Sequence, residues 1–172
     1  MNRGGLARMT GGTLEGKGLE RMGEKSPGTV RKFGIADMSD IMEIERQAFP
    51  KSGYPKEVIL DYARNYPDSF IVLEMGHEIG GYLIYDRGGH IFSMAVKPLY
   101  RRKGFGKRMF VHARDHAEGK LWLEVRSKNT GAIRFYEAMG MRIRGKVPRY
   151  YETDDAFIMV LDGEVKQVTE SV

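Results

Sequence analysis

The segment from Met94 to Arg108 reads Met-Ala-Val-Lys-Pro-Leu-Tyr-Arg-Arg-Lys-Gly-Phe-Gly-Lys-Arg, with two glycines between an apolar run and a helix-forming run. The apolar residues Met94–Val96 predict the end of a strand, and the residues after Gly104 predict a helix. A strand that enters a helix through glycines exposes backbone N–H groups, and the helix dipole adds positive potential there. The segment therefore predicts a turn that binds an anion, with phosphate as the expected group.

Two well-known nucleotide-binding motifs do not fit this turn. The dinucleotide fingerprint needs a third glycine where Met109 stands, together with an acidic residue after the next strand that is missing here. The P-loop needs Ser or Thr after Lys107 to hold magnesium, and Arg108 stands at that position. Nucleotide hydrolysis is therefore not expected.

The turn lies in a basic part of the chain. The formal net charge is +5, and the stretch from Arg87 to Arg114 holds eight Lys or Arg residues and no Asp or Glu. A cluster of this kind favours an anionic partner, although a solvated charged face is the ordinary alternative. No pattern of aromatic residues for base stacking accompanies it, so nucleic acid is not the expected partner. A basic module that binds RNA or the ribosome is the non-enzymatic alternative.

Length and composition indicate one globular domain. The chain has 172 residues, 41% of them hydrophobic and none of them cysteine, so disulfide scaffolds, thiol nucleophiles and thiolate metal sites are excluded. The longest apolar run, Ala156–Leu161, is far shorter than the roughly 20 residues of a membrane helix. A cytoplasmic location without membrane association is expected. Residues 1–28 hold eight glycines and no aromatic residue, which predicts a disordered tail, followed by a domain at 29–163 and an extension at 164–172.

Hydrophobic periodicity and the Gly and Pro positions predict the order β-α-α-β-β-β-α-β-α-β-β, an α/β fold with a mixed sheet flanked by helices. The predicted strands are Thr29–Gly34, Ser69–Met75, Ile79–Asp86, His90–Lys97, Lys120–Arg126, Met141–Val147 and Ala156–Leu161. The predicted helices run from Ser39 to the residue before Pro50, from Pro55 to Asn65, from Gly104 to Glu118 and from Asn129 to Met139.

The pattern Arg101-x-x-Gly104-x-Gly106, with the strand before it and the helix after it, resembles the GNAT superfamily of acetyl-CoA-dependent N-acetyltransferases. The resemblance extends from about Val30 to Leu161 and implies the GNAT fold, with acetyl-CoA as cosubstrate. In that family the turn binds the pyrophosphate, and the preceding strand binds the pantetheine arm. The implied coenzyme-binding residues are Met94, Ala95, Val96, Arg101, Arg102, Lys103, Gly104, Phe105, Gly106, Lys107 and Asn129. Asn129 is equally suited to capping the helix that follows it.

Two later runs, Leu123-Glu-Val-Arg-Ser-Lys-Asn-Thr-Gly-Ala-Ile-Arg-Phe-Tyr-Glu-Ala-Met-Gly140 and Pro148-Arg-Tyr-Tyr-Glu-Thr-Asp-Asp-Ala-Phe-Ile-Met159, resemble N-terminal protein acetyltransferases of the RimI type and their archaeal relatives. The resemblance implies direct transfer, in a ternary complex, to the α-amine of protein or peptide N-termini, ribosomal proteins among them. It implies that Glu124 and Tyr136 are the catalytic pair, and that two facing loops bind the substrate peptide. The residues of those loops are Phe49, Tyr54, Tyr150 and Tyr151. Acetylation of small amines such as polyamines or aminoglycosides is the alternative activity.

The chemistry explains why these residue types suit the roles. An α-ammonium group has a pKa of about 7.7 to 8.0, so a carboxylate, acting directly or through a water, is a sufficient base. Glu124 alternates with Leu123 and Val125 on a predicted strand and so faces the other way, toward the cleft. The hydroxyl of Tyr136 can protonate the leaving thiolate, whose pKa is about 8.5, or hydrogen-bond to it. The ordinary alternatives are a solvated strand carboxylate and a half-buried core aromatic residue.

A metal site is not expected. His112 and His116 are spaced by one helical turn, but no Glu follows His112 and no third ligand is in phase. The Gly-x-Ser-x-Gly pattern of a serine hydrolase is missing as well.

Overall fold

The structure is a computed structural model that describes residues 28–162. The predicted extension and, apart from Gly28, the predicted tail lie outside the described residues. The strands are β1 Thr29–Lys32, β2 Phe70–Met75, β3 Glu78–Tyr85, β4 Ile91–Val96, β5 Trp122–Arg126, β6 Met141–Tyr151 and β7 Asp154–Leu161. The helices are α1 Met38–Ala48, α2 Lys56–Asn65, α3 Phe105–His116 and α4 Thr130–Ala138. The predicted α/β fold and its element order are confirmed.

The strands form two antiparallel sheets, ordered β1-β2-β3-β4 and β5-β7-β6. A parallel bridge between His90 and Trp122 joins them, and the Trp122 N–H donates to the Gly89 carbonyl at 2.9 Å. Beyond this bridge the ladders of the described residues contain no pairing between β4 and β5. The two strands therefore border an opening toward Val96 and Arg126.

Helices cover the sheets on both sides. The apolar face of α1 packs with Ile59 of α2 and Tyr82 of β3 in one cluster. Met109 and Phe110 of α3 pack with Tyr136 of α4 in a second cluster, which spans both sheets. None of the helices described is long and apolar enough to cross a membrane.

Several element boundaries differ from the prediction by one or two residues, and the end of β6 differs by four. Pro55 is the N-cap of α2 rather than its first residue. The strand β6 continues past Val147 to Tyr151, which pairs with Asp154, so Tyr150 and Tyr151 end a strand and do not belong to a loop. Pro148 suggested an end at Val147, but β6 is an edge strand and its register shifts between Val147 and Tyr151, which accommodates a proline.

Candidate active site

The opening between β4 and β5 leads into a cavity of about 550 Å³. Its walls come from both strands, from the segment between α1 and α2, from α4 and from the end of β6. Seven of the predicted site residues line it: Phe49, Tyr54, Met94, Glu124, Asn129, Tyr136 and Tyr151. The fold thus brings residues from five separate parts of the chain to one cavity.

Glu124 projects from β5 into this cavity, while Leu123 and Val125 on either side of it are buried in the core. The strand alternation predicted for this segment is confirmed. Glu124 Oε2 lies 2.7 Å from His90 Nε2. Because an ionised carboxylate only accepts hydrogen bonds, His90 Nε2–H is the donor in this pair.

His90 was not among the predicted site residues. Its ring stacks on Trp122 with the centroids 3.8 Å apart and the planes 7° apart, and its backbone N–H donates to Asp86 Oδ1 at 2.9 Å. These contacts fix the imidazole beside Glu124. The sequence carries no local signal for this pair, because it depends on the bridge between β4 and β5.

Tyr136 lies on the face of α4 that lines the cavity, and it is buried. Burial raises its pKa, and the neighbouring Tyr151 adds to the effect. The Tyr136 hydroxyl therefore stays protonated at neutral pH and serves as a hydrogen-bond donor.

Aromatic side chains flank Glu124 at the end of β6. Tyr151 lines the cavity, and the guanidinium of Arg126 lies 4.0 Å from the centre of its ring. Tyr150 is half exposed. Burial, followed by its interaction with the Glu124 carboxylate, raises the pKa of Tyr150. The two tyrosines thus lie next to the candidate base.

The segment between α1 and α2 also contributes aromatic residues, since Phe49 and Tyr54 line the cavity. The Tyr54 ring packs against Tyr62 with the centroids 5.5 Å apart, and Tyr62 packs against Phe92 at 5.2 Å. Tyr62 and Phe92 extend the aromatic wall beyond the residues singled out in the sequence. Helical spacing marks Tyr62 only as a residue of the inner face of α2.

The predicted anion-binding turn has the backbone geometry of such a site. Gly104 is the N-cap of α3 with φ +81°, and Arg102 also has a positive φ, +62°. The first hydrogen bond of α3 runs from the Arg108 N–H to the Gly104 carbonyl at 3.1 Å. The N–H groups of residues 105–107 therefore have no acceptor within the helix, as is usual at a helix N-terminus. Such a row of N–H groups can bind a phosphate.

The two glycines of the turn are needed for different reasons. A Cβ at Gly104 would meet nothing within 4 Å, so the positive φ is what requires glycine. A Cβ at Gly106 would lie 3.2 Å from the ring of Phe135, so glycine at 106 allows α3 to pack closely on α4.

The basic side chains of the turn fall into two groups. Arg101 Nε donates to the Val96 carbonyl at 2.8 Å and connects the turn to β4. Arg102, Lys103 and Lys107 are exposed. Phe105 is half-buried and meets the Tyr100 ring edge-on, with the centroids 6.2 Å apart. The exposed cations are the ones available to an anionic ligand.

Lys97 stabilises the start of the turn through an ion pair. Its side chain is buried, and Nζ lies 2.8 Å from Glu78 Oε2. Tyr100 donates to the other oxygen of the same carboxylate. This ion pair connects the entry to the turn with the start of β3.

Asn129 caps α4, one of the two roles predicted for it. Its Oδ1 accepts a hydrogen bond from the Ala132 N–H at 3.1 Å and so caps α4. Because Asn129 also lines the cavity, contact with a coenzyme there stays a prediction.

Among residues 28–162, no group of three or more His, Asp or Glu side chains has the arrangement of a metal site. The rings of His112 and His116 stack with their centroids 4.0 Å apart, and His116 Nδ1 lies 2.8 Å from the His112 carbonyl. That nitrogen is therefore engaged within the helix.

Known proteins share both the sequence pattern and this architecture. An uncharacterized N-acetyltransferase of Methanocaldococcus jannaschii is 39% identical over 140 residues, which cover 76% of this chain and 89% of that protein. An N-alpha-acetyltransferase of Sulfurisphaera tokodaii is 29% identical over 153 residues, which cover 76% of this chain and 90% of that protein. The crystal structure of Ard1 from Thermoplasma volcanium matches with a TM-score of 0.70 at 30% identity, over 78% of this chain and 97% of that chain.

A model of the acetyltransferase (GNAT) family matches residues 38–141, which is more than half of the chain. This match includes the turn, Glu124 and Tyr136. The resemblance in the sequence is thereby confirmed, and the chain belongs to the acetyltransferase (GNAT) family.

Proposed function

We propose that this protein transfers the acetyl group of acetyl-CoA to the α-amine of protein N-termini. The observation that carries the proposal is one cavity that Glu124 and Tyr136 line together with aromatic side chains, with His90 hydrogen-bonded to Glu124. The Sulfurisphaera tokodaii relative, an N-alpha-acetyltransferase, supports the same acceptor class.

The turn and the open edge of β4 fit acetyl-CoA, which supplies the activated acetyl group. The N–H groups of residues 105–107 and the exposed Arg102, Lys103 and Lys107 suit the pyrophosphate. Met94–Val96 pair with β3 on one side only. Apart from the Val96 carbonyl, which accepts from Arg101, backbone groups on the other side of β4 are therefore available to the amides of a pantetheine arm. The arm then leads from the turn toward Met94, which lines the cavity.

Glu124 prepares the acceptor. Its carboxylate takes a proton from the substrate α-ammonium, directly or through a water, and leaves a neutral amine. His90 donates to Oε2 and, held by Trp122, keeps the carboxylate in one orientation. The amine nitrogen then attacks the thioester carbonyl carbon, an N–C bond forms, and the C–S bond breaks. The nitrogen loses its second proton as the amide forms, and one proton neutralises the departing thiolate.

Tyr136 acts on the leaving group. Because burial raises its pKa, full transfer of its proton to a thiolate with a pKa of about 8.5 is unfavourable. A hydrogen bond from the hydroxyl to the developing thiolate carries no such cost. The sequence allowed either proton transfer or hydrogen bonding for Tyr136, and we propose the hydrogen bond.

The aromatic side chains of the cavity suit the first residues of a peptide. Phe49, Tyr54 and Tyr151 line the cavity, and Tyr150 lies beside Glu124. A chain that enters between them presents its terminal amine to Glu124.

The test is acetylation of a peptide library by the full chain with acetyl-CoA, read by mass spectrometry. Each peptide is supplied with a free and with a blocked α-amine, and polyamines and aminoglycosides are assayed in parallel. We expect one acetyl group, on the α-amine, and no product from the blocked peptides. A higher kcat/KM for the small amines, with unmodified peptides, would overturn the proposal.

A further inference from the structure

A second carboxylate, Glu45, lines the cavity far from Glu124 in sequence and is only 2% exposed. It lies in the last turn of α1. Burying an ionised carboxylate costs free energy unless hydrogen bonds compensate. The hydrogen-bond partners of Glu45 therefore indicate its role.

Glu45 connects a loop to the core. Its Oε2 accepts a hydrogen bond from the Tyr54 N–H at 2.6 Å. Its other oxygen accepts from the hydroxyl of Tyr82, which is fully buried on β3 and lies 2.7 Å from Ser93 Oγ. The carboxylate therefore links the backbone at Tyr54 to a rigid side chain of the sheet.

The same residue also holds the other end of that loop. The Phe49 N–H donates to the Glu45 carbonyl at 2.8 Å. Residues 49–54, here named the acceptor loop, thus start on the backbone of Glu45 and end on its side chain. Both aromatic residues that the acceptor loop contributes to the cavity, Phe49 and Tyr54, are the residues bonded to Glu45.

Gly53 shows how closely the acceptor loop lies against Glu45. A Cβ at Gly53 would be 3.1 Å from the Phe49 carbonyl oxygen and 3.4 Å from Glu45 Oε2. The contact with the Phe49 carbonyl requires a shift of the acceptor loop, whereas the distance to Glu45 Oε2 is close to ordinary van der Waals contact. Gly53 itself is exposed, so a side chain there perturbs the acceptor loop from the solvent side and leaves the core intact.

We propose that Glu45 is a positioning residue for the peptide: it holds the acceptor loop in the conformation that binds the acceptor, without touching the coenzyme or the reacting atoms. The inference rests on the proposed function, because it assigns the acceptor loop to peptide binding. A loop that is ordered before the peptide arrives lowers the entropy cost of binding. Losing Glu45 therefore raises KM for the peptide and leaves the chemical step in place.

The hydrogen bonds, rather than the negative charge, carry this role. In Glu45→Gln the amide oxygen can still accept from Tyr54, and the amide NH₂ can donate to the Tyr82 oxygen while the Tyr82 hydroxyl donates to Ser93. In Glu45→Ala both partners lose their acceptor. The glutamine variant should therefore behave like the parent protein, and the alanine variant should not.

The experiment compares Glu45→Ala and Glu45→Gln with Asp37→Asn as a matched control. Asp37 is also a buried carboxylate on the α1 segment, and it accepts from Arg31 and from the Gly34 N–H at 2.8 Å. It is not part of the cavity lining. For Glu45→Ala we expect a peptide KM raised roughly tenfold, the effect of about 1.4 kcal/mol, with kcat and the acetyl-CoA Kd within about twofold. Glu45→Gln and Asp37→Asn should keep the parent KM, although Asp37→Asn loses thermal stability.

Hydrogen exchange at the Tyr54 amide gives a readout that needs no activity. We expect protection in the parent protein and in Glu45→Gln, and fast exchange in Glu45→Ala. If Glu45→Ala does not fold, Gly53→Val replaces it and should raise both the peptide KM and the exchange rate.

An unchanged KM in the folded variants would overturn the proposal, and so would a Glu45→Gln variant as impaired as Glu45→Ala. If the parent protein modifies no peptide, the proposed function has failed. If the Tyr54 amide is nevertheless protected from exchange in the parent protein and not in Glu45→Ala, Glu45 still orders the acceptor loop, and only the assignment of that loop to peptide binding has failed.

Discussion

Glu124 has two partners that differ in what they do to its carboxylate. His90 donates a hydrogen bond at 2.7 Å and orients the carboxylate, whereas Tyr150 lies beside it with a raised pKa and stays neutral at physiological pH. The hydrogen bond from His90 thus orients the carboxylate to take a proton from an ammonium group.

The first prediction concerns Glu124→Gln, which keeps the shape and removes the base. We expect kcat to fall by roughly 10²- to 10⁴-fold, the usual range for general acid–base catalysis. Raising the pH should restore part of the loss, because a larger share of the α-amine is already neutral above its pKa of about 8. Steady-state kinetics over a pH series measure this, and calorimetry should show unchanged acetyl-CoA binding. Near-parental kcat at every pH would show that substrate alignment carries the reaction instead.

The second prediction concerns the hydroxyl of Tyr136. Tyr136→Phe keeps the ring in the core and should lower kcat more than it weakens acetyl-CoA binding, because the hydrogen bond to the leaving thiolate forms only during the reaction. The pKa of Tyr136 is raised from 10.0 by burial. The donor therefore stays protonated as the pH rises, and kcat of the parent protein should not fall up to pH 10 through this group. A drop in kcat below pH 10 that is missing in Tyr136→Phe would contradict this assignment.

At the scale of elements, the turn before α3 leaves the N–H groups at the N-terminus of this helix available to a phosphate. Its backbone depends on the positive φ of Gly104 and Arg102, and its packing depends on the contact between Gly106 and Phe135. Substitutions at the two glycines separate these requirements.

The third prediction compares Gly104→Val with Gly106→Val. Valine at φ +81° is strained by about 1–3 kcal/mol, so the turn should change shape and lose most of its acetyl-CoA affinity. A side chain at Gly104 meets no neighbour, so the fall in melting temperature should come from the backbone strain alone. Gly106→Val should lower the melting temperature more, because its side chain meets Phe135. Calorimetry and thermal melts distinguish the two, and unchanged affinity in folded Gly104→Val would rule out the turn as the phosphate site.

Elements bounded by local signals could be predicted from the sequence. Gly104, Asn129 and Gly140 mark helix boundaries through their own backbone or side-chain chemistry. The end of β6 could not be predicted, because the local signal of Pro148 is overridden by pairing with β7. Local chemistry sets the start of a helix, and long-range pairing sets the length of an edge strand.

The same distinction applies to the site. Glu124 and Tyr136 share one continuous motif, and the structure brings them to one cavity, although their roles stay predictions. His90 and Glu45 act through partners 34 and 37 residues away in sequence. No spacing within one segment reports such contacts, so only the three-dimensional arrangement finds them.

At the scale of the whole molecule, the cavity exists because the two sheets meet at one bridge and then separate. The start of α1 is fixed to the first sheet at a point outside the cavity lining. Arg31 of β1 makes that connection: its guanidinium donates to both oxygens of Asp37, at 2.8 and 2.9 Å, and to Glu74 of β2.

The last prediction tests this connection through its pH dependence. The hydrogen bond from Arg31 lowers the pKa of Asp37 below its ordinary value of 3.8, although burial opposes the shift. A carboxyl whose pKa is lower in the folded state stabilises the fold above its unfolded pKa, and this contribution is lost as the pH falls through the folded pKa. Asp37→Asn should therefore lower the melting temperature at pH 7, by roughly 3–6 °C for a loss of about 1–2 kcal/mol. At pH 2.5 the difference should narrow, because this pH lies below the unfolded pKa and the contribution of the ionised carboxyl shrinks as the pH approaches the folded pKa. Scanning calorimetry of the two proteins at both pH values measures this. An equal difference at pH 7 and pH 2.5 would show that the ion pair with Arg31 contributes nothing, and that the geometry of the segment alone holds α1 against the sheet.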